Sequence, residues 1–385
     1  MGSFAPRILT MELNTIEEAI EDIRARKVII VVDDEDRENE GDFLAAAECV
    51  SPEMINFMAT HGRGLICAPL IEDRCDELGL EMMVQSNSAA YETPFTVSVD
   101  LIGHGCTTGI SASDRAKTVQ ALIDPEIRPE ELGKPGHIFP LRARKGGVLR
   151  RNGHTEAAID LARMAGFKPA GVIVEIMNED GTMARLPELL EMAGKFDMKI
   201  ISIKDLIEYR LANETLINQE MSVPMPTRYG DFKLVSFKQT TNGIDHLALV
   251  KGEWTMDEPV MVRVHSSSMV ADIFGSSQFG RGEQLHRAME MIEQAGKGVI
   301  VYINKFRKGE GIGDELKAHL DVDQPGTIRP KMDVKDYGIG AQILRELNIS
   351  KIKLLTNNPE SRKGDIGYGL EIVEHIPIQV VPVKG

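Results

Sequence analysis

The chain has 385 residues, 42% hydrophobic and 27% charged, an ordinary soluble-globular balance with length for two or three domains. Its net charge of -15 argues against nucleic acid or an anionic membrane as a general partner, so an anionic ligand must be met by a local basic pocket. No apolar run is long enough to span a bilayer, and Met1-Gly2-Ser3-Phe4 opens no signal peptide. The scattered cysteines Cys49, Cys67, Cys75 and Cys106 read as reduced thiols of a cytoplasmic protein rather than a disulfide framework.

Thr15-Ile16-Glu17-Glu18 is a capping box, and Ile16, Ala19, Ile20 and Ile23 follow at helical spacing, so a helix leads the first half. The apolar run at residues 28–32 then reads as a buried strand. Asp33-Asp34-Glu35-Asp36-Arg37-Glu38-Asn39-Glu40-Gly41-Asp42 gathers carboxylates where that strand leaves the sheet. Such crowding needs positive charge; Arg37 is one source and a divalent metal a second, while a solvated acidic loop is the plainer alternative. An EF-hand fits poorly, because counting from Asp36 brings Ala47 to the place of the closing glutamate.

Ser51-Pro52-Glu53 starts a second helix, and Ser113-Asp114 and Thr155-Glu156 open two more after glycine-containing loops. Residues 171–176 read as a strand, and a polar helix at 205–210 ends the first half. Residues 213–226, containing Pro224-Met225-Pro226, read as a linker between domains of residues 1–212 and 227–385. Beyond it, residues 233–237 and 246–250 flank Thr241-Asn242-Gly243, a β-hairpin signal. A helix at 284–294, a strand at 298–303, a helix at 340–347 and a strand at 351–355 follow. The fold class is α+β: two mixed α/β domains, with no internal repeat.

Four other segments of the first half can complete a site with the acidic turn. His137 lies in Lys134-Pro135-Gly136-His137-Ile138-Phe139-Pro140, read as a loop held by two prolines and a glycine. Arg150-Arg151-Asn152-Gly153-His154-Thr155 runs into a helix whose free N–H groups, with the arginines and the threonine hydroxyl, make a phosphate cradle. Thr107-Thr108-Gly109-Ile110-Ser111 is a second cradle or a hydroxyl-binding loop. Glu175, mid-strand among apolar residues, needs a partner or a raised pKa. Taken singly, each has a plainer reading: a capping histidine, a surface arginine, a glutamate facing solvent from an edge strand, and for Cys67 a small buried hydrophobe.

Together the segments are far more specific. The acidic run, His61-Gly62-Arg63-Gly64-Leu65-Ile66-Cys67, Thr107-Thr108-Gly109-Ile110-Ser111-Ala112-Ser113-Asp114-Arg115, Pro135-Gly136-His137-Ile138-Phe139-Pro140-Leu141-Arg142 and Gly153-His154-Thr155-Glu156-Ala157-Ala158-Ile159-Asp160-Leu161 occur in this order. Residues 14–210 thereby resemble 3,4-dihydroxy-2-butanone 4-phosphate synthase. The resemblance implies a lyase of riboflavin biosynthesis that converts D-ribulose 5-phosphate to L-3,4-dihydroxy-2-butanone 4-phosphate and formate. It implies Mg2+ or Mn2+ as cofactor, two ions per site, and a homodimer with sites at the subunit interface. By the same match Glu38 and His154 are metal ligands, and His137 and Glu175 serve proton transfer. Arg37, Glu38, Asp42, Cys67, Thr108, Asp114, Arg151, Asn152, Gly153, His154 and Thr155 surround the substrate, its phosphate at the helix start.

Val262-Arg263-Val264-His265-Ser266, Gly282-Glu283-Gln284-Leu285-His286, Asp336-Tyr337-Gly338-Ile339-Gly340-Ala341-Gln342-Ile343-Leu344 and Leu354-Leu355-Thr356-Asn357-Asn358-Pro359 resemble GTP cyclohydrolase II, across residues 228–382. That family holds a catalytic Zn2+ with three cysteines, and here those places read Ser268, Phe279 and Arg281. No cysteine follows Cys106, and a hydroxyl, a phenyl ring and a cation cannot replace thiolates. Arg307-Lys308-Gly309-Glu310-Gly311-Ile312-Gly313, His319, Lys335 and Ser361 depart from the pattern as well, whereas Arg263, Asp333, Thr356 and Asn357 keep it. The expectation is a domain that binds no zinc and is inactive as GTP cyclohydrolase II. Two alternatives stand beside it: residual activity through His265 or His286, and a regulatory or oligomerisation module.

Overall fold

The computed structural model describes residues 13–35, 37–89, 91, 93–276, 281–305, 334–357 and 370–379. The chain forms two compact units, Met1–Tyr209 and Arg210–Gly385. In the first, α1 (Ile16–Arg24) starts as its capping box requires: the Glu18 N–H donates to Thr15 Oγ1 at 3.2 Å, and the Thr15 N–H donates to Glu18 Oε2 at 3.0 Å. The sheet is built from β1 (Ile29–Val32), β2 (Gly41–Ala46), β3 (Cys67–Ile71), β4 (Val99–Leu101), β5 (Leu132–Ala143), β6 (Gly171–Glu175) and β7 (Ile200–Ser202). Their order is β4-β5-β3-β6-β2-β1-β7. Every residue of β1 and β2 is buried, so both faces of the sheet are covered, which is why residues 28–32 are apolar without alternation.

The helices are α2 (Pro52–His61), α3 (Glu72–Glu77), α4 (Ala112–Ile123), α5 (His154–Met164), α6 (Leu186–Phe196) and α7 (Ile203–Asn213). α5 lies against β2, β3, β5 and β6, while α2 packs on α4 and α6 on β1. Strand register then places the chemistry. Antiparallel pairing sets Val31 opposite Asp42 and Asp42 opposite Glu175, and Cys67 pairs with Ile173. β5 runs parallel to β3 with Phe139 beside Cys67, so His137 projects from the same end of the sheet.

Four local expectations shift. His137 belongs to β5 rather than a loop, because β4 pairs alongside it with Val99 opposite Ile138. Ser111, not Ser113, caps α4 by accepting the Asp114 N–H at 3.0 Å. Glu175 ends β6 and is half-buried. The segment read as a linker is mostly β8 (Ile217–Thr227), paired along its length with β9 (Gly230–Gln239). Pro224 and Pro226 are tolerated because, among the described residues, β8 is the sheet's edge strand, where a missing N–H costs no ladder bond.

The second unit adds β10 (Asp245–Lys251), β11 (Val260–Ser266), β12 (Gly298–Ile303), β13 (Lys351–Leu355) and β14 (Glu371–Ile376), ordered β14-β13-β11-β12-β10-β9-β8. β9 and β10 form the expected hairpin, with Gly243 at φ 71° in its turn. Its helices include α8 (Met269–Asp272), α9 (Arg281–Ala295) and α10 (Val334–Glu346). α9 buries Leu285, Ala288, Met289 and Ile292, one helical face, into a core with Phe232, Ile300 and Leu355.

Candidate active site

The carboxylates of the β1–β2 turn fold back on their own backbone. Asp33, buried at the end of β1, accepts the Glu38 and Glu40 N–H groups at 3.2 and 2.9 Å and Arg37 Nη1 at 2.7 Å. The same Arg37 nitrogen donates to Glu38 Oε2 at 2.5 Å. His154, the first residue of α5, comes in beside them with its Nε2 at 3.1 Å from the Val31 carbonyl. A carbonyl only accepts, so Nε2 carries the proton and Nδ1 keeps its lone pair. Burial holds this imidazole below its ordinary pKa, hence neutral near pH 7. Asp33, Glu38 and His154 each offer a ligand atom within 4.8 Å of the others.

Asp42 and Glu175 extend the cluster. Asp42 is enclosed, 3.9 Å from His154 Nδ1, and burial raises its carboxyl well above the usual range, with Glu175, Glu40, Glu38 and Asp33 adding to the effect. Glu40 is raised by burial first and by Glu38 and Glu175 next. Glu175 Oε2 accepts the Leu65 N–H at 2.8 Å, and a Cβ on Gly64 would stand 2.5 Å from that oxygen, which explains the glycine. The Cys67 thiol beside this pair is pushed up by burial, with Glu175 and Asp42 adding to the effect, and stays protonated. Arg185 reaches the turn from outside, donating to the Glu38 carbonyl at 3.1 Å and to the Asn39 carbonyl. Asp33, Glu38, Glu40, Asp42 and Glu175 thus outnumber the two arginines, Arg37 and Arg185, bonded to the turn. The pocket's donors, carboxylate oxygens with one imidazole nitrogen, fit a hard divalent cation such as Mg2+ or Mn2+.

At the α5 N-terminus the cap residue, Gly153, has no side chain to satisfy the first N–H groups. A Cβ there would meet Arg151 Nη1 at 2.4 Å, so the glycine lets the guanidinium lie over the helix start. Arg151 Nη1 donates to Glu156 Oε2 at 2.8 Å and Nη2 to the Tyr91 carbonyl at 3.0 Å. Tyr91 Oη in turn donates to the Arg37 carbonyl at 2.5 Å, and the Arg37 guanidinium lies 5.2 Å from the ring centroid. One tyrosine therefore joins the acidic turn to the Arg151 loop. Thr155 is buried in the first turn of α5, and Asn152 is half-buried next to Arg151.

His137, Thr108 and Asp114 form a second group. His137 Nδ1 is 2.6 Å from Asp100 Oδ2, and its backbone N–H donates to Asp100 Oδ1 at 2.8 Å. Gly109 closes over Asp100, where a Cβ would stand 2.0 Å from Oδ2. Asp114 accepts the Thr107 N–H at 3.1 Å, the Thr107 hydroxyl at 2.7 Å and the Gly109 N–H at 3.1 Å. The Thr107 hydroxyl foremost holds this carboxyl below its usual range. Two N–H groups expected to cradle a ligand are thus taken by Asp114, leaving Thr108 exposed beside them. β3 and β6 part β5 from β2, about 14 Å at about 4.8 Å per strand, so within one chain this group stands apart from the acidic turn.

Around Ser268 and Asp272 in the second unit, polar groups satisfy one another. Ser268 caps α8: its Oγ accepts the Ala271 N–H at 3.1 Å, and its own N–H donates to Asp272 Oδ2 at 2.9 Å. Asp272 also accepts Tyr302 Oη at 2.8 Å and meets His265 Nε2 at 3.0 and 3.1 Å. Burial opposes ionisation there, yet the His265 contact and the other donors hold Asp272 below its ordinary pKa. Arg263 donates to the Leu355 carbonyl and to Gln284, and Asn357 exchanges bonds with the Ile378 backbone. His286 stacks on Tyr229 at 4.8 Å. Arg281 is the first residue of α9, half-buried. Phe279, residues 307–313, His319, Asp333 and Ser361 lie outside the described residues.

Sequence reasoning misses Asp33, Tyr91, Asp100 and Glu156. A signal existed for two: Asp33 is the first residue past the strand, and Glu156 is a charged residue in a helix buried on all sides. Asp100 and Tyr91 carry no local signal, since their partners arrive only through tertiary pairing.

Residues 17–209 match the 3,4-dihydroxy-2-butanone 4-phosphate synthase family, and residues 218–377 match GTP cyclohydrolase II. The riboflavin biosynthesis protein RibBA of Cytophaga hutchinsonii is 63% identical over 377 residues, 96% of this chain and 93% of that protein. RibBA of Bacillus cereus is 50% identical over 376 residues, 96% and 94% of the two chains. Among solved structures, RibBX, a two domain 3,4-dihydroxy-2-butanone 4-phosphate synthase from A. baumannii, superposes with a TM-score of 0.77 at 40% identity, covering 95% of this chain and 99% of that one.

Proposed function

The chain belongs to the RibBA family of riboflavin biosynthesis proteins, and on that premise we propose a division of labour between its units. The first converts D-ribulose 5-phosphate to L-3,4-dihydroxy-2-butanone 4-phosphate and formate; the second is silent as a GTP cyclohydrolase II. The observation that carries the first part is the meeting of Asp33, Glu38 and His154, each with a ligand atom within 4.8 Å of the others. Glu38 and His154 would hold a divalent cation, Mg2+ or Mn2+, with Asp33 adjacent, and the unbalanced carboxylates around them leave charge for a second. Such a cation stabilises enediolate charge without proton bookkeeping.

The chain's own residues supply the rest. Arg151, Thr155 and the uncapped start of α5 receive the phosphate, and Arg37 and Asp42 line the sugar's side of the pocket. Asp42, with its raised pKa, and Glu175 opposite it can carry protons between carbons during enolisation and dehydration. Asp100 fixes the His137 ring through Nδ1, which leaves Nε2 for proton transfer. His137 stands across the sheet from its own acidic turn, and Leu65, Met82, Met83, Val84, Ile102 and Ile110 are large apolar side chains left exposed in this unit. Both facts support a homodimer in which one protomer's His137 completes its partner's site.

For the second unit, the support is chemical. Ser268 offers a hydroxyl already engaged as a helix cap, and the neighbouring His265 is taken by Asp272. Formate release tests both halves, because both reactions yield it. Purified protein given ribulose 5-phosphate with Mg2+ is expected to release formate, and protein given GTP with Mg2+ and Zn2+ is not. Formate from GTP would restore the bifunctional reading that the RibBA relatives invite.

A further inference from the structure

We propose that Glu156 and Asp160, one turn apart on α5, are positioning residues that clamp the 144–151 loop and so hold Arg151 in place for the substrate phosphate. The inference rests on the phosphate-cradle reading above. α5 is buried at every position from His154 to Ala162, yet two carboxylates sit on it. Buried acids are costly unless their oxygens are matched, and both are matched by the same loop.

Glu156 Oε1 accepts the Arg144 N–H at 3.0 Å, and Oε2 accepts Arg151 Nη1 at 2.8 Å. Asp160 Oδ2 accepts the Val148 N–H at 2.8 Å. The loop is therefore gripped at its start, middle and end. Gly147 makes the closest approach: its φ is 62°, and a Cβ would stand 2.1 Å from Asp160 Oδ1. The Arg150 and Arg151 N–H groups then close on the Gly147 carbonyl at 2.8 and 3.1 Å, which passes the restraint from Asp160 to the arginines. Neither acid belongs to the Asp33–Glu38–His154 donor set. Of the five guanidinium donors of Arg151, the bonds to Glu156 and Tyr91 use two, leaving others for a phosphate.

The test compares full-length Glu156→Gln, Asp160→Asn, Arg151→Ala and the double variant Glu156→Gln/Arg151→Ala by kinetics with ribulose 5-phosphate and by inhibition with inorganic phosphate. Glu156→Gln is expected to raise KM and the phosphate inhibition constant roughly tenfold, with kcat changed less than about threefold. In the Arg151→Ala background it is expected to change KM little further, because both act through one contact. Additive effects, or a fall in kcat at constant KM, overturn the clamp alone. An unchanged KM in Arg151→Ala overturns the cradle reading and takes the clamp with it. If the acid variants fail to fold, Gly153→Ala displaces the Arg151 guanidinium while leaving both carboxylates. A KM rise that vanishes in the Arg151→Ala background supports positioning, and additivity overturns it.

Discussion

The two units share a plan, a seven-stranded mixed sheet with helices, and use it in opposite ways. At the end of the first sheet Asp33, Glu38, Glu40, Asp42 and Glu175 crowd together, and burial with mutual repulsion raises Asp42 and Glu40. In the second, Asp272 sits among a histidine, a tyrosine hydroxyl and a backbone N–H, and its pKa falls. Carboxylates gathered with an imidazole at one sheet end are a donor set suited to a divalent cation. In the second cluster the donors and acceptors are already engaged with one another. That contrast separates the 3,4-dihydroxy-2-butanone 4-phosphate synthase half of this enzyme from its companion.

Removing a member of the unbalanced cluster has the largest expected effect. Glu38→Ala or His154→Ala should lower kcat by roughly a thousandfold or more, since cation stabilisation of transition-state charge supplies several kcal/mol. Near-normal turnover in either would sink the assignment of cation ligands. His137→Ala, which removes the proposed proton carrier, should cost about 100- to 10,000-fold in kcat. If the dimer reading holds, mixing inactive His137→Ala with inactive His154→Ala protein should recover activity through hybrid dimers; no recovery counts against a shared site. Arg151→Ala should raise KM by roughly 10- to 150-fold, the loss of a charge-assisted bond of about 1.5–3 kcal/mol.

The smallest effect carries the sharpest sign. Asp42 has a folded pKa above its unfolded value, so its ionisation favours unfolding, and the penalty grows as pH rises from the ordinary carboxylate range through the raised value. Asp42→Asn should therefore stabilise the cation-free protein at neutral pH by about 1 kcal/mol, roughly 2–4 °C in melting temperature for a unit of this size. The gain should disappear on acidification. Asp272 is depressed, so its stabilisation is present above the ordinary carboxylate range and is lost as pH falls through the lowered value. Asp272→Asn should lower the melting temperature at neutral pH. Melting curves of the two full-length variants against pH that move in the same direction would refute the contrast.

Much of this was legible beforehand. Capping at Thr15 and Ser51, the apolar run before Asp33 and the Asn242-Gly243 hairpin are local signals, governed by residues a few positions apart. Glu38 and His154 were readable as partners from motif resemblance, and the structure brings them together. The edge strand β8 was not legible, because a proline shows that a residue gives no N–H but not whether a neighbour needed one. Nothing local in the sequence shows that Asp114, placed in the pocket by resemblance, accepts from Thr107 and Gly109.

By itself the sequence determined the two-part organisation, the helix starts, the apolar strands and the absence of the thiols a cyclohydrolase-type zinc site needs, since each depends on residue identity and short-range spacing. Only the tertiary structure decided which acids stay unbalanced. Asp42 meets Glu175 through the β2–β6 register, Asp100 meets His137 through β4 and β5, and Glu156 meets Arg151 because α5 turns back over its own loop. A pKa is set by the burial and charges surrounding a group, and those neighbours are chosen by strand pairing rather than by adjacency along the chain.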